Sequence, residues 1–320
     1  MTQYENRLAA IEHYLTQKKY PLEPAQLYDP IQYFMALGGK RIRPLFTVLS
    51  AELFGGTLDN SLPAAAALEM FHNFTLIHDD IMDGAPKRRN LPTVHEKWNS
   101  NIAILSGDAL MIYAFQELGQ YEASTFKSLS ILLQKTAIEV CMGQQMDMDF
   151  ERMEVVSEAQ YLEMIRLKTS VLLGCACAFG GILEKTTSTN IDHLYRFGEH
   201  LGIAFQIQDD ILDAFGSESK VGKQIGGDIL SDKKTLLYTT FQQRASSAEK
   251  AKHQYLSKAS PEEKIKGIKQ LYLDGQVLEY CKAMQEKHWQ KSQDHLNEIE
   301  TDVSKDGVKE LLNFIIHRNY

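Results

Sequence analysis

The chain has 320 residues, 44% of them hydrophobic and 24% charged, which is ample material for a folded core under an ordinary charged surface. A formal net charge of −8 argues against general nucleic-acid binding and makes an anionic substrate awkward unless cations or local arginines offset the field. Four scattered cysteines (Cys141, Cys175, Cys177, Cys281) are too few for a disulfide framework, and the Cys175/Cys177 spacing suits a helix interface better than a zinc knuckle.

In chain order, nearly every long segment has helical periodicity, and the alternation of strands is missing. Residues 3–18 read as an amphipathic helix closed by Tyr20-Pro21, with no hydrophobic signal core. Residues 30–54 read as a second helix, interrupted at Gly38-Gly39 and Pro44 and closed by Gly55-Gly56. The run 62–83 is long and largely apolar, beginning near Pro63 and stopping at Gly84. Helices follow over 101–119, 124–150, 158–182 and 190–215, and more polar, lysine-rich ones from about 232 to 320. Without a linker or short-period repeat, residues 1–320 read as one all-α domain. Since no apolar run approaches the roughly 20 residues of a membrane span, a cytoplasmic protein is expected. The segments 62–83 and 171–183 are too apolar for a surface, so other helices must enclose them.

Two clusters stand out at the ends of apolar helices. LIHDDIMD carries Asp79, Asp80 and Asp83, and FQIQDDILD carries Asp209, Asp210 and Asp213. Residues four apart share a helix face, so Asp79 lies beside Asp83 and Asp209 beside Asp213. Carboxylates this close repel one another unless a cation neutralises them. An all-oxygen set without His or Cys suits a hard ion such as Mg²⁺, which keeps positions open for water and phosphates. A single cluster could be a solvated helix end; two, with a basic turn close to the first, point to metal.

Basic residues supply the other half. GGKRIRP offers Lys40, Arg41 and Arg43 behind Gly39, Lys87-Arg88-Arg89 follows the first cluster, Lys168-Thr169 ends a polar turn before an apolar helix, and Lys223 and Lys233 follow the second cluster. Arginine forks match phosphate oxygens bidentately and lysine acts as a point charge, so the set suits a substrate with several phosphates. The Walker spacing is absent, which excludes a nucleotide-binding P-loop.

GGKRIRP, LIHDDIMD with Arg88-Arg89, GQQMD (143–147), KTS (168–170), FQIQDDILD and GKQIGGDILSDKKT together closely resemble the trans-prenyltransferases, the polyprenyl or isoprenyl diphosphate synthases. The motifs stand in that family's order across about residues 38–235. The resemblance implies an antiparallel helical bundle around a deep cavity, commonly a homodimer, joining isopentenyl diphosphate head-to-tail to an allylic diphosphate. It implies that Asp79, Asp83 and Asp209 hold three Mg²⁺ ions, with Asp80, Asp210 and Asp213 as further or outer ligands. Metal charge would stabilise the departing diphosphate. The Lys168 and Thr169 backbone and the Gln206 side chain would steady the allylic cation. Gly39, Lys40, Arg43, His72 and Arg89 match the isopentenyl diphosphate pocket, and Arg88, Lys168, Lys223 and Lys233 the contacts to the allylic diphosphate. A buried, hydrogen-bonded role is the ordinary expectation for a helix histidine; the place of His72 two turns before Asp79 on the same face favours the pocket. Asn90 stands where the family's basic turn usually has glycine, and asparagine tolerates the left-handed conformation that turn needs. GKQIGGD is one residue longer than in the animal enzymes.

The same resemblance places the chain-length floor below Asp79, at Phe74 and Thr75. An aromatic five residues before the motif with a small residue at the fourth favours geranylgeranyl diphosphate, with farnesyl diphosphate next. Phe71 is equally compatible with core packing. A class I terpene cyclase would carry an Asn/Ser/Glu second motif and have no need of GGKRIRP, and a non-catalytic partner subunit would typically have lost an aspartate cluster.

Overall fold

The structure, a computed structural model, describes residues 3–216 and 226–316 and is built almost entirely of helices. It divides into two compact units, one comprising Met1–Gln134, Ala176–Ile191 and Glu300–Leu312, the other Lys135–Cys175, Asp192–Ile299 and Asn313–Tyr320.

The first unit contains α1 (Gln3–Thr16), α2 (Ala25–Ala36), α3 (Ile42–Glu52), α4 (Leu58–Met82), a hairpin of β1 (Lys87–Arg88) and β2 (Leu91–Pro92), α5 (Val94–Lys97) and α6 (Ser100–Leu118). α4 is its axis, packed against α3 and α6 and also touched by α1, α2 and α5. Its run Ala64–Ala67 is fully buried and small enough for neighbours to approach closely, and Leu68, Met70 and Phe71 fill the layer beyond. The helix starts four residues before the expected point because the Thr57 side chain accepts the Asn60 N–H and caps it there. Pro63 therefore lies inside the helix, where it removes one backbone donor without ending it. Asp83 closes α4 and Gly84 follows at φ +58°, the left-handed stop read from the sequence. The segment expected as one interrupted helix over 30–54 is two separate helices, α2 and α3. Pro44 falls in the first turn of α3, where its missing donor costs nothing.

The second unit holds most of α7 (Ala123–Arg152), then α8 (Glu158–Ile165), a π-helical turn (Arg166–Ser170), the start of α9 (Val171–Leu183) and most of α10 (Ser188–Phe215). α11 (Gly227–Leu230), α12 (Leu236–Arg244), α13 (Ser247–Leu256), α14 (Pro261–Asp274) and α15 (Val277–Glu298) complete it, while α16 (Asp306–Ile316) starts in the first unit. Its core joins Tyr161, Met164 and Ile165 to Ile203, Ile207 and Ile211 of α10 and to Leu236, Phe241, Ile268, Tyr272 and Cys281. Cys175, Cys177 and Cys281 are buried and in no disulfide, as packing residues should be.

The expected polar turn before the apolar helix is absent as such. Glu158–Leu183 runs on as one helical stretch through the π turn. By length and composition it could cross a membrane, contrary to the expectation that no run comes near, but 78% of its apolar window is buried inside the protein.

Candidate functional site

In the first unit, Gly39, Lys40, Arg43, Glu69, His72 and Arg89 are among the residues that line a cavity of about 380 Å³. All five positions expected for one diphosphate are therefore brought together. Arg41 of the same motif serves the fold instead. It is buried and bonds Glu12 and Glu69 through its guanidinium, at 2.8 and 2.6 Å. Arg43 is differently placed. Its Nη1 donates to His72 Nε2 at 3.2 Å, while its buried Nε has no hydrogen-bond partner. Arg43 lines the cavity while its Nε is enclosed, so its charge there has no carboxylate hydrogen-bonded to it and suits an anion. Because arginine can only donate, His72 Nε2 accepts, so the ring is neutral with its proton on Nδ1. Burial first, then Arg43, Arg89, Arg88 and Arg41, hold His72 well below its ordinary pKa. Gly39 is close-set: a Cβ there would lie 3.0 Å from an Arg89 guanidinium nitrogen, which would have to move aside.

The hairpin after α4 explains the basic turn. Lys87 pairs with Pro92 and Arg88 with Leu91, leaving Arg89-Asn90 as a two-residue loop. Both residues have positive φ, +51° and +65°, the geometry of a type I′ turn, which asparagine accepts. Sequence periodicity missed these strands because they are two residues each. The turn directs Arg88 back onto Asp80, to which its Nε and Nη2 donate at 2.8–3.0 Å. Asp80 is buried and neutralised by that fork, whereas Asp83 is exposed and Asp79 partly so.

Below the cluster, Phe71 is fully buried core, and Phe74 stands edge-on to it and to His78, with ring centroids 5.5 and 4.8 Å away. The Thr75 hydroxyl is turned to its own helix, donating to the His72 carbonyl. His78 is seated against α6, where Gly107 leaves it room; a Cβ at Gly107 would meet its ring at 2.5 Å.

In the second unit the π turn carries Lys168 and Thr169. Such bulges recur at functional sites because one extra residue re-aims its neighbours. Lys168 Nζ donates to Asp147 Oδ2 at 2.6 Å, and a Cβ on Gly143 would collide with the Lys168 backbone nitrogen at 2.2 Å. GQQMD thus supplies both the space for the turn and the partner of its lysine. The Thr169 hydroxyl donates to Gln206 Oε1 at 3.4 Å, and Gln206 Nε2 donates to Asp210 Oδ1 at 3.2 Å. This chain of bonds orients the amide between turn and cluster. Gly202 makes it possible, since a Cβ there would lie 2.7 Å from Ser170 Cα.

Asp210 is buried and also accepts from the Tyr161 hydroxyl. Burial, then the nearby Asp228 carboxylate, push its pKa up to about 7 against these donors. Asp213 accepts the Asp228 N–H at 2.9 Å, and its carbonyl accepts the Gly226 N–H, tying the GGD segment to the cluster. Asp209 and Asp213 are partly exposed, and Lys233 is exposed while helping to hold the Asp210 proton less tightly. Lys223 lies outside the described residues.

Among the described residues, no three His, Cys, Asp or Glu side chains converge on an ion-sized site. The donor set still fits Mg²⁺, which takes one or two protein carboxylates and completes its octahedron with water and substrate phosphates. Asp147, Tyr161 and Asp228 do not stand out in the sequence as site residues. Asp147 and Asp228 leave a trace there, as the last residue of GQQMD and the aspartate of GKQIGGDILSDKKT; Tyr161 leaves none.

The family model described as polyprenyl synthetase matches residues 24–273. A geranylgeranyl pyrophosphate synthase of Geoglobus acetivorans is 37% identical over 300 residues, 93% of this chain and 92% of that protein. The crystal structure of a geranylgeranyl pyrophosphate synthetase from Pyrococcus horikoshii Ot3 superposes with a TM-score of 0.91 at 31% identity, covering 99% of each chain. A polyprenyl synthase from Caulobacter crescentus CB15, complexed with calcium and isoprenyl diphosphate, is similar at TM-score 0.86 and 26% identity over 99% of this chain and 96% of that one.

Proposed function

Because the chain belongs to the polyprenyl synthetase family, we propose from its own residues how it acts as a prenyltransferase, elongating an allylic diphosphate with isopentenyl diphosphate to geranylgeranyl diphosphate. The observation that carries the reading is the cavity lined by Lys40, Arg43, His72 and Arg89, with Arg43 held by neutral His72, a cationic receptor for one diphosphate.

Lys40, Arg43, His72 and Arg89 bind the diphosphate that keeps its bond, with neutral His72 orienting Arg43 instead of adding charge. Asp79 and Asp83 of the first cluster and Asp209 of the second would hold magnesium, three ions in all, and Asp80, Asp210 and Asp213 would support their own clusters through Arg88, Tyr161 and the Asp228 N–H. When bound, the ions supply the positive charge that stabilises the leaving diphosphate. Arg88, Lys168 and Lys233 bind the same group, and Lys223 is assigned with them. As the allylic C–O bond ionises, the Lys168 and Thr169 carbonyls and the Gln206 amide oxygen face the developing cation with dipoles already fixed by hydrogen bonds. The isopentenyl double bond attacks, and the released diphosphate takes the proton, so the protein needs no base of its own. Phe74, supported by Phe71 and His78, is the floor that stops growth at twenty carbons.

The reading extends to a chain that works as one domain, in the cytoplasm, as a homodimer. α6 exposes Ile104, Leu105 and Ile112, and α7 exposes Phe126, Ile131, Ile138 and Met142, apolar area of the kind a second copy covers. The test is purified protein with Mg²⁺, isopentenyl diphosphate and dimethylallyl, geranyl or farnesyl diphosphate. Diphosphate release with a C20 product is expected; silence with every primer would overturn the activity, and a C15 or C25 product the floor.

A further inference from the structure

α10 and α15 carry four histidines that the prenyl transfer does not use. His193 and His200 are seven residues apart on α10, and His288 and His295 are seven apart on α15. The helices run in opposite directions past one another, so that His193 meets His295 with Nδ1 atoms 3.1 Å apart and His200 meets His288 at 3.2 Å. The His200 and His295 rings stack at 5.7 Å, making one continuous column of imidazoles.

Two facing Nδ1 atoms need something between them. A single proton serves, one ring donating to the other; so does a metal ion. An ion about 2.0–2.1 Å from two nitrogens at the tetrahedral angle sets them about 3.3–3.4 Å apart, close to what both pairs show. The pairs differ in their surroundings. The His200–His288 pair is flanked by Lys291 and Lys287, which disfavour a cation, and the inward-lying Glu199 carboxylate is shared by Arg166 and Arg196. Near His295 stand the Asp192 and Asp294 carboxylates, with Arg196 as the opposing cation. All four histidines are partly buried, and the outer pair is bordered by the Asp192 and Arg196 side chains, 66% and 49% exposed.

We propose that His193 and His295 form a two-imidazole site for one zinc-class divalent ion that clamps α10 to α15. Among the described residues no third protein ligand converges there, so water completes the coordination. Imidazole selects Zn²⁺, Co²⁺, Ni²⁺ or Cu²⁺ over Mg²⁺, so the site and the carboxylate clusters draw on different ions. Asp209 lies 16 residues beyond His193 on α10, about 24 Å along the axis, so the ion takes no part in the chemistry. It is a brace on the helix that carries the second cluster.

The test uses metal-stripped protein in excess Mg²⁺, titrated with Zn²⁺ against a chromophoric chelator, alongside thermal unfolding with and without Zn²⁺. Wild type should take up one equivalent and unfold at a higher temperature with zinc. His193→Ala and His295→Ala should each lose both effects, while His200→Gln/His288→Gln keeps them; prenyl transfer in Mg²⁺ reports that each variant is folded. Should His295→Ala fail that check, His295→Gln replaces it. No uptake by wild type, uptake retained without His193 or His295, or uptake lost only with the inner pair would each overturn the proposal and leave the pairs as proton-sharing contacts. None of these outcomes bears on the transferase activity.

Discussion

The two aspartate clusters are the same five-residue pattern solved in two ways. In the first, the middle carboxylate, Asp80, is neutralised by the guanidinium fork of Arg88. In the second, a tyrosine hydroxyl and a glutamine amide satisfy Asp210 in place of a guanidinium, and its pKa rises to about 7. One cluster is held by charge and the other by hydrogen bonds. The difference teaches that the buried middle position of the pattern anchors to whatever its own surroundings offer, a guanidinium in one place and hydroxyl and amide donors in the other.

The largest effect should come from the outer positions. Asp79→Ala and Asp209→Ala are each expected to lower kcat at least a hundredfold, about 3 kcal/mol or more, with the helical circular dichroism unchanged. Either variant retaining a tenth of wild-type rate would end the symmetry between clusters. The middle positions should then diverge. Asp80→Asn leaves Arg88 without its countercharge and should lower stability by about 3 kcal/mol in urea unfolding. Asp210→Asn keeps an acceptor for Tyr161 and should cost much less.

That asymmetry has a pH signature in magnesium-free buffer. The Asp210 carboxyl is raised from its ordinary 3.8 to about 7, so between those values the folded chain holds a proton that the unfolded chain lacks. Its contribution therefore favours folding as pH falls toward 4 and is lost as pH rises through 7. Urea midpoints measured across that range should converge for wild type and Asp210→Asn at the acid end and separate toward neutral. Parallel curves would mean that Asp210 ionises normally.

Smaller again is the effect on the cationic cavity. Arg43→Ala should raise the KM for isopentenyl diphosphate about tenfold to a hundredfold with kcat little changed. Lys40→Ala should raise it less, because a point charge on a flexible stem loses more freedom on binding than the planar fork that His72 already orients. A rise in the allylic KM instead would reverse the two diphosphate assignments. The least effect on rate is expected of Phe74→Ala, whose readout is product length: chains beyond C20 appear, or Phe74 is not the floor.

Most of the helices were legible because their apolar residues recur with one period and their ends carry glycine, as at Gly84 and Gly216. The start of α4 was not, since Pro63 is a louder signal than the threonine cap ahead of it. Nor was the hairpin, whose strands are shorter than any period. The site's residue types were legible, and their division of labour was not. Arg41 and Arg43 look alike in GGKRIRP, yet burial with two glutamates makes the first structural, while the second lines the cavity with only a neutral histidine bonded to its guanidinium. A polar turn ending at Lys168-Thr169 was legible, but its π geometry was not, because that depends on what Gly143 and Gly202 permit from other helices.

The pairing of Arg41 with Glu12 has a practical consequence for anyone shortening the protein. Glu12 belongs to the first helix, which no catalytic assignment touches and which an engineer would trim first. Removing it would strand half of a buried guanidinium's compensation at the back of the diphosphate cavity. Truncations that begin after Glu12 are thus expected to fail at substrate affinity and solubility together.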